Sequence, residues 1–92
     1  MNEEFEIIKL MTDYMYEKKT DLSELNQIME LFEDYIDKYD IILLNCDICS
    51  EIRCLFDMIR VDILSGENYM LKGIEYLKNL QNNMNFNAVY NK

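Results

Sequence analysis

Apolar residues recur at intervals of three and four along most of the chain, which indicates amphipathic helices that each bury one face. In the first segment, residues 2–19, the apolar positions are Ile7, Ile8, Met11, Tyr14 and Met15. In the second segment, residues 22–38, they are Leu25, Ile28, Met29, Phe32, Tyr35, Ile36 and Tyr39. Asp21 followed by Glu24 has the pattern of a capping box, which predicts where the second helix begins.

The start of the third helix is less clearly marked, because no glycine or proline separates it from the second helix. Helical register is kept by Ile41, Leu44, Ile48, Ile52, Leu55, Ile59 and Ile63. We therefore predict one helix over residues 41–64, capped by Asp40. A second apolar strip, which would make this the central helix, consists of Leu43, Cys54, Met58 and Val61. The alternative makes residues 41–44 a short extended piece and begins the helix after Asp47.

Ser65 and Gly66 end the third helix, since glycine suits the left-handed position that follows a helix. Asn68 can cap a fourth helix, predicted over residues 68–83, whose inward positions are Met70, Gly73, Ile74, Leu77, Leu80 and Met84. Gly73 on that face predicts a close approach to a neighbouring helix. The helical domain thus spans residues 1–83, and residues 84–92 are predicted to be a frayed tail. The alternative packs Phe86, Val89 and Tyr90 back on the domain. The expected fold is all-α, a small single-domain four-helix bundle or compact helical array.

Charge narrows the partners that this fold would bind. Eighteen acidic residues face nine basic ones, giving a net charge of −9. Such a chain is not expected to bind nucleic acid directly or an anionic membrane, and its natural complement is a larger protein with a basic surface. Acidic residues open the chain and the longest apolar run is only Ile41 to Leu44. We therefore expect neither a signal peptide nor a membrane span, and predict a cytoplasmic protein.

Catalytic chemistry has little support in the sequence. Histidine, the commonest general base, is absent, and no nucleotide-binding, hydrolase or calcium-binding motif occurs. Cys46, Cys49 and Cys54 leave a zinc or iron–sulfur site one ligand short. A redox dithiol of the thioredoxin type would begin a helix within a βαβ unit, and the pattern shows no strands. We therefore predict no enzyme activity, no cofactor and no metal, with a cysteine-based metal or redox role as a remote alternative.

Two sets of polar residues are candidates for binding a partner. The first is a stripe opposite the hydrophobic face of the second helix, formed by Glu30, Glu33, Asp34 and Asp37. Carboxylates three and four apart lie roughly 5–6 Å from each other on a helix, a spacing comparable to that of phosphates along a nucleic-acid strand. The second set combines an ion triad on the third helix with two tyrosines at the border of the fourth helix's buried face, namely Arg53, Asp57, Arg60, Tyr69 and Tyr76. Tyrosine and arginine are enriched at binding hot spots.

These observations favour a small acidic protein-binding module that inhibits or regulates a larger basic protein, including nucleic-acid-binding ones. Phage counter-defence and anti-CRISPR-type inhibitors are of this kind, although that association comes from size and charge and from no particular residue. The alternative is a helical homo-oligomer, such as a homodimer, with a scaffold or regulatory role.

Overall fold

The structure, a computed structural model, describes the backbone of residues 3–90, and their side chains except those of Leu44 and residues 83–90. It confirms the predicted all-α class with four helices. Their bounds are α1 Glu3–Tyr16, α2 Leu22–Lys38, α3 Asp47–Ser65 and α4 Met70–Tyr90, with a 3₁₀ turn at Leu43–Asn45. The fourth helix continues past its predicted end at residue 83, while the predicted inward position of Met84 lies outside the described side chains.

Successive helices run antiparallel, in up-down-up-down order, and form a body of 42 × 25 × 21 Å. Lys38 at the end of α2 pairs with Glu3 at the start of α1, with 2.9 Å between Nζ and Oε1. Lys72 near the start of α4 similarly reaches Asp62 near the end of α3. Each helix packs against its neighbour in sequence, and α1 also packs against α4, which closes the bundle.

The apolar faces predicted for α1 and α2 supply much of the core. All five predicted positions of α1 are buried, which confirms that face. In α2 the buried positions are Leu25, Ile28, Met29 and Phe32. Further along α2, Tyr35 and Ile36 are half-buried and Tyr39 is 47% exposed, so the predicted face is correct except at its end.

The third helix begins later than predicted, and the prediction of one helix over residues 41–64 is wrong. Asp40 adopts a left-handed conformation with φ of 50°, which turns the chain at the end of α2 instead of capping a new helix. The 3₁₀ turn follows, and Cys46 is then extended and becomes the N-cap of α3. The alternative, with the helix starting near Asp47, is therefore close to the observed structure.

The predicted register of α3 is correct, since Ile48, Ile52, Leu55 and Ile59 are buried, but the predicted second apolar strip is not. Cys54 and Val61, expected on a second apolar strip, are exposed, and Met58 of the same strip is half-buried. Phe56, which the pattern did not select, is fully buried with its ring 5.8 Å from that of Phe32. The helix therefore keeps one solvent-facing side, and the prediction of a second apolar strip is wrong.

The helix ends predicted from Asp21, Gly66 and Asn68 are confirmed. The carboxylate of Asp21 accepts the backbone N–H groups of Ser23 and Glu24 at the start of α2. Gly66 adopts φ of 72° after α3, and the side chain of Asn68 accepts the backbone N–H of Met70 at the start of α4. Within the part of the chain that the structure describes, no helix combines the length and the apolar character that a membrane span requires.

Candidate functional site

The four carboxylates of the predicted stripe all lie exposed on one side of α2. The stripe belongs to a regular, well-capped helix whose opposite face is anchored in the core by Ile28, Met29 and Phe32. Lys38 is the one basic residue of α2, and it turns away to pair with Glu3 on α1. The negative charge of α2 is therefore held on a rigid element and is not neutralised from within its own helix.

One residue of the stripe connects it to the predicted ion triad on α3. The guanidinium of Arg53 lies 3.4 Å from the carboxylate of Glu33 and 3.5 Å from that of Asp57. Arg60 completes the triad at 3.2 Å from Asp57. Two candidate surfaces that the sequence analysis treated separately thus form one continuous face across α2 and α3. Glu30, in contrast, makes no salt bridge with any described residue.

The two tyrosines of the second candidate set have different positions. Tyr69 is only 3% exposed and precedes α4, so its predicted place at the border of the buried face is wrong. Its hydroxyl hydrogen-bonds within the fold, which leaves it unavailable to a partner as the protein stands. Tyr76 is half-buried and packs against the core, where part of its ring remains accessible.

An open depression between α1 and α2 is a feature that the sequence analysis missed. It has a volume of about 360 Å³ and is flanked by Leu10 and Leu31, which are 39% and 50% exposed. The acidic residues that line it are Asp13, Glu17 and Glu24. The signal in the sequence was that both leucines lie off the periodic apolar faces of their helices. Asp34 of the stripe is three residues from Leu31, so this apolar patch borders the acidic face.

The cysteines occupy the beginning and middle of α3. Cys46 caps the helix, and its sulfur accepts the backbone N–H of Cys49 at 3.4 Å. Cys49 is fully buried, whereas Cys54 is exposed. Burial raises the pKa of the Cys49 thiol to about 12, and the neighbouring Cys46 side chain adds to the rise. Among the described residues, no group of three or more cysteine, aspartate or glutamate side chains is arranged so that it could hold a metal ion.

The chain matches no family model, no curated protein and no solved structure.

Proposed function

We propose that this protein is a small acidic binding module that docks on the basic surface of a larger protein and thereby inhibits or regulates it. The observation that carries the proposal is the exposed row of carboxylates on α2, of which Glu30, Asp34 and Asp37 make no salt bridge with any described residue. A basic surface would supply the counter-charges that this row lacks within the described fold.

The geometry of α2 supports a partner whose basic surface is elongated, such as a nucleic-acid-binding groove. Carboxylates spaced three and four apart repeat every roughly 5–6 Å along one side of the helix. The helix is capped at Asp21 and packed on its opposite face, so little conformational entropy is lost when the row meets its partner. A rigid row of this kind occupies a groove in place of a phosphate backbone.

Apolar contact beside the charges would give such a complex its stability. Charged rims direct encounter and specificity, whereas buried apolar or aromatic anchors contribute most of the affinity in protein complexes. Leu31 and Leu10 provide an exposed apolar patch next to Asp34. The proposed docking face therefore consists of the acidic row and these two leucines.

Affinity capture from a nuclease-treated lysate of the encoding organism tests the proposal, with bound proteins eluted by increasing salt. We expect a stoichiometric partner with a basic surface, released at high salt because surface ion pairs are screened. Replacing Glu30→Gln together with Asp34→Asn should weaken binding of the purified partner about tenfold or more. The control, Glu67→Gln with Glu75→Gln, removes the same charge from exposed positions outside the stripe and should leave binding unchanged.

A second pair of variants tests the apolar part of the face. Leu10→Gln with Leu31→Gln keeps the net charge and should shorten the lifetime of the complex, because apolar anchors mainly affect dissociation. Leu64→Gln with Leu71→Gln is the matched control, since these leucines are 70% and 84% exposed outside the proposed docking face.

The charge variants also provide the result that would reject the docking face. If the stripe variant and the control charge variant weakened binding equally, only non-specific electrostatic attraction would remain.

A helical homo-oligomer is the second candidate function, and exposed apolar side chains favour it. Val61, Leu64 and Leu71 are 59%, 70% and 84% exposed near the α3–α4 connection. Exposed apolar residues that cluster on one side of a protein mark association surfaces. Sedimentation equilibrium separates the candidates, because a concentration-dependent dimer lost in Leu64→Gln with Leu71→Gln supports self-association and a monomer contradicts it.

A further inference from the structure

The observed start of α3 places the Cys46-Asp47-Ile48-Cys49 segment at the amino end of the helix, not inside a helix over residues 41–64. Cys46 is the N-cap residue and Cys49 lies in the first turn, so both cysteines are at the amino end of a long helix. The backbone N–H of Cys49 points at the sulfur of Cys46, with 3.4 Å between nitrogen and sulfur. Thiol–disulfide exchange pairs have the same arrangement, with a Cys-X-X-Cys segment at the amino end of a helix. The arrangement itself needs only the end of a helix and no neighbouring strands.

The two thiols differ in accessibility. Cys46 is partly exposed, whereas Cys49 is fully buried behind it. Cys46 also packs against the core, but an external disulfide can approach it more readily than it can approach Cys49. Cys54, five residues further along, is exposed on another part of α3 and accepts no comparable hydrogen bond among the described residues. The helix thus presents one accessible thiol backed by one enclosed thiol.

Helix geometry brings the two cysteines within bonding range. Residues three apart in an α-helix have Cα atoms about 5 Å apart, given its rise and radius. Disulfides span Cα separations of about 4.4–6.8 Å. Rotation of the Cys46 side chain from its capping position towards Cys49 would then close the bond without moving the backbone of α3 far.

We propose that Cys46 and Cys49 are a thiol–disulfide exchange pair that is oxidised to an internal disulfide by a small-molecule disulfide. Cys46 loses its proton to solvent and attacks one sulfur of the external disulfide. The external S–S bond breaks, and its first half leaves as a thiolate that takes up a proton.

The second step closes the internal bond. Cys49 releases its proton and attacks the sulfur of Cys46 in the mixed disulfide, and the other half of the external molecule leaves as a thiol. Two cysteine thiols are oxidised and one external disulfide is reduced to two thiols. Because burial holds the Cys49 thiol protonated, this second step should be the slower one at neutral pH and should accelerate as pH rises.

Equilibration of the full chain with mixtures of reduced and oxidised glutathione tests the pair. Samples are quenched with acid, alkylated and read by intact mass and peptide mapping. We expect a Cys46–Cys49 disulfide whose population follows the glutathione ratio, and the same midpoint in the Cys54→Ser variant. Cys46→Ser, which keeps a good helix cap, should abolish the internal disulfide.

Replacing the enclosed thiol tests the order of attack. Cys49→Ala should trap Cys46 as a mixed disulfide with glutathione, because no second thiol is present to release it. Circular dichroism checks that each variant keeps its helical content. The inference is overturned if glutathione modifies only Cys54, if Cys46 pairs with Cys54 instead, or if the internal disulfide forms only when urea unfolds the protein.

Discussion

The hydroxyl of Tyr69 donates a hydrogen bond of 2.7 Å to the backbone carbonyl of Lys19, which ties the α3–α4 connection to the α1–α2 connection. The ring of Tyr69 stacks on that of Tyr14, with centroids 6.4 Å apart and planes inclined by 24°. Tyr14 in turn donates to the carbonyl of Asp21 at 2.9 Å. Two tyrosines thus satisfy carbonyl groups of the α1–α2 connection and close one end of the bundle.

Tyr69→Phe should lower the free energy of unfolding by about 1 kcal/mol, because it leaves the carbonyl of Lys19 without its donor while keeping the ring. Tyr76→Phe is the matched control, since that hydroxyl makes no hydrogen bond to a described residue, and its effect should stay within about 0.5 kcal/mol. Urea denaturation of both variants measures the difference. Equal loss in the two variants would contradict the role given to Tyr69.

The close approach of α1 and α4 at Gly73 predicts a substitution whose effect changes sign with its background. A Cβ atom at Gly73 would overlap the terminal methyl of Met15, which is itself fully buried. Gly73→Ala should therefore be neutral or destabilising by about 1–3 kcal/mol in the natural chain, since overpacking opposes the gain in helix propensity.

The Met15→Ala background removes the methyl group that obstructs the new side chain. That substitution alone should cost about 2–5 kcal/mol through lost burial and a cavity. Adding Gly73→Ala to it should then raise the free energy of unfolding by about 1 kcal/mol, from helix propensity and partial filling of the cavity. A double-mutant cycle in urea measures this coupling. Simple additivity of the two changes would show that the methionine does not restrict residue 73.

The free energy of unfolding should decline at alkaline pH, because burial raises the pKa of two groups in the folded state. Burial raises the pKa of Cys49 from an ordinary value of 9.0 to about 12, and that of Tyr14 from 10.0 to about 12. The folded state therefore holds these protons more tightly than the unfolded state. The protonated forms of these groups therefore contribute fully to the free energy of unfolding below pH 9. This contribution is lost as pH rises towards about 12.

Cys49→Ala isolates the part that comes from the thiol. The variant is less stable at neutral pH because it loses buried volume. Its further loss between pH 7 and about pH 11 should nevertheless be smaller than that of the natural chain, since one titrating group is gone. Thermal unfolding at a series of pH values measures both curves under reducing conditions. Parallel curves would show that the thiol does not contribute to the alkaline decline.

Asp62 is a buried carboxylate that is incompletely paired. It is 5% exposed, with one oxygen 3.6 Å from the ammonium of Lys72 and the other without a described hydrogen-bond partner. It also lies in the last turn of α3, where negative charge opposes the helix dipole. Asp62→Asn should therefore be neutral or stabilising by up to about 1 kcal/mol.

Lys72→Met provides the test of that pairing. In the natural chain it should destabilise the fold by up to about 1 kcal/mol, because the buried carboxylate loses a counter-ion that is itself largely exposed. With Asp62→Asn already present it should have little effect, since no buried charge remains to be compensated. Urea denaturation of the single and double variants measures the effect of Lys72→Met in each background. An equal effect in both backgrounds would contradict the pairing of Lys72 with Asp62.

Local signals in the sequence predicted the parts of the fold that depend on local physics. Asp21, Gly66 and Asn68 mark helix ends through side-chain or backbone preferences that act within a few residues. The buried face of α1 follows from periodicity alone. The break before α3 has no such signal, because Asp40 takes a left-handed conformation that favours glycine and Cys46 is a weak cap.

The candidate site was only partly predictable, because it depends on contacts between helices. The spacing of apolar residues along the sequence does not define those contacts. The acidic stripe was predictable from spacing on one helix, and so was the triad that contains Arg53 and Asp57. Their connection through Glu33 depends on how α2 and α3 pack together. Tyr69 was misplaced for a similar reason, since its hydroxyl is directed by a loop carbonyl fifty residues away in sequence.

The order in which the helices pack has a kinetic consequence. Three of the packed pairs join helices that are adjacent along the chain, so each forms by closing a short loop, whereas α1 and α4 meet only when the two ends of the chain come together. Proteins dominated by such local contacts fold fast. Because the α1–α4 seam requires the largest loop closure, we expect its contacts to form after the folding barrier. We therefore expect loss of the Tyr69–Lys19 bond, or a change in the Gly73–Met15 contact, to accelerate unfolding and to leave the folding rate nearly unchanged.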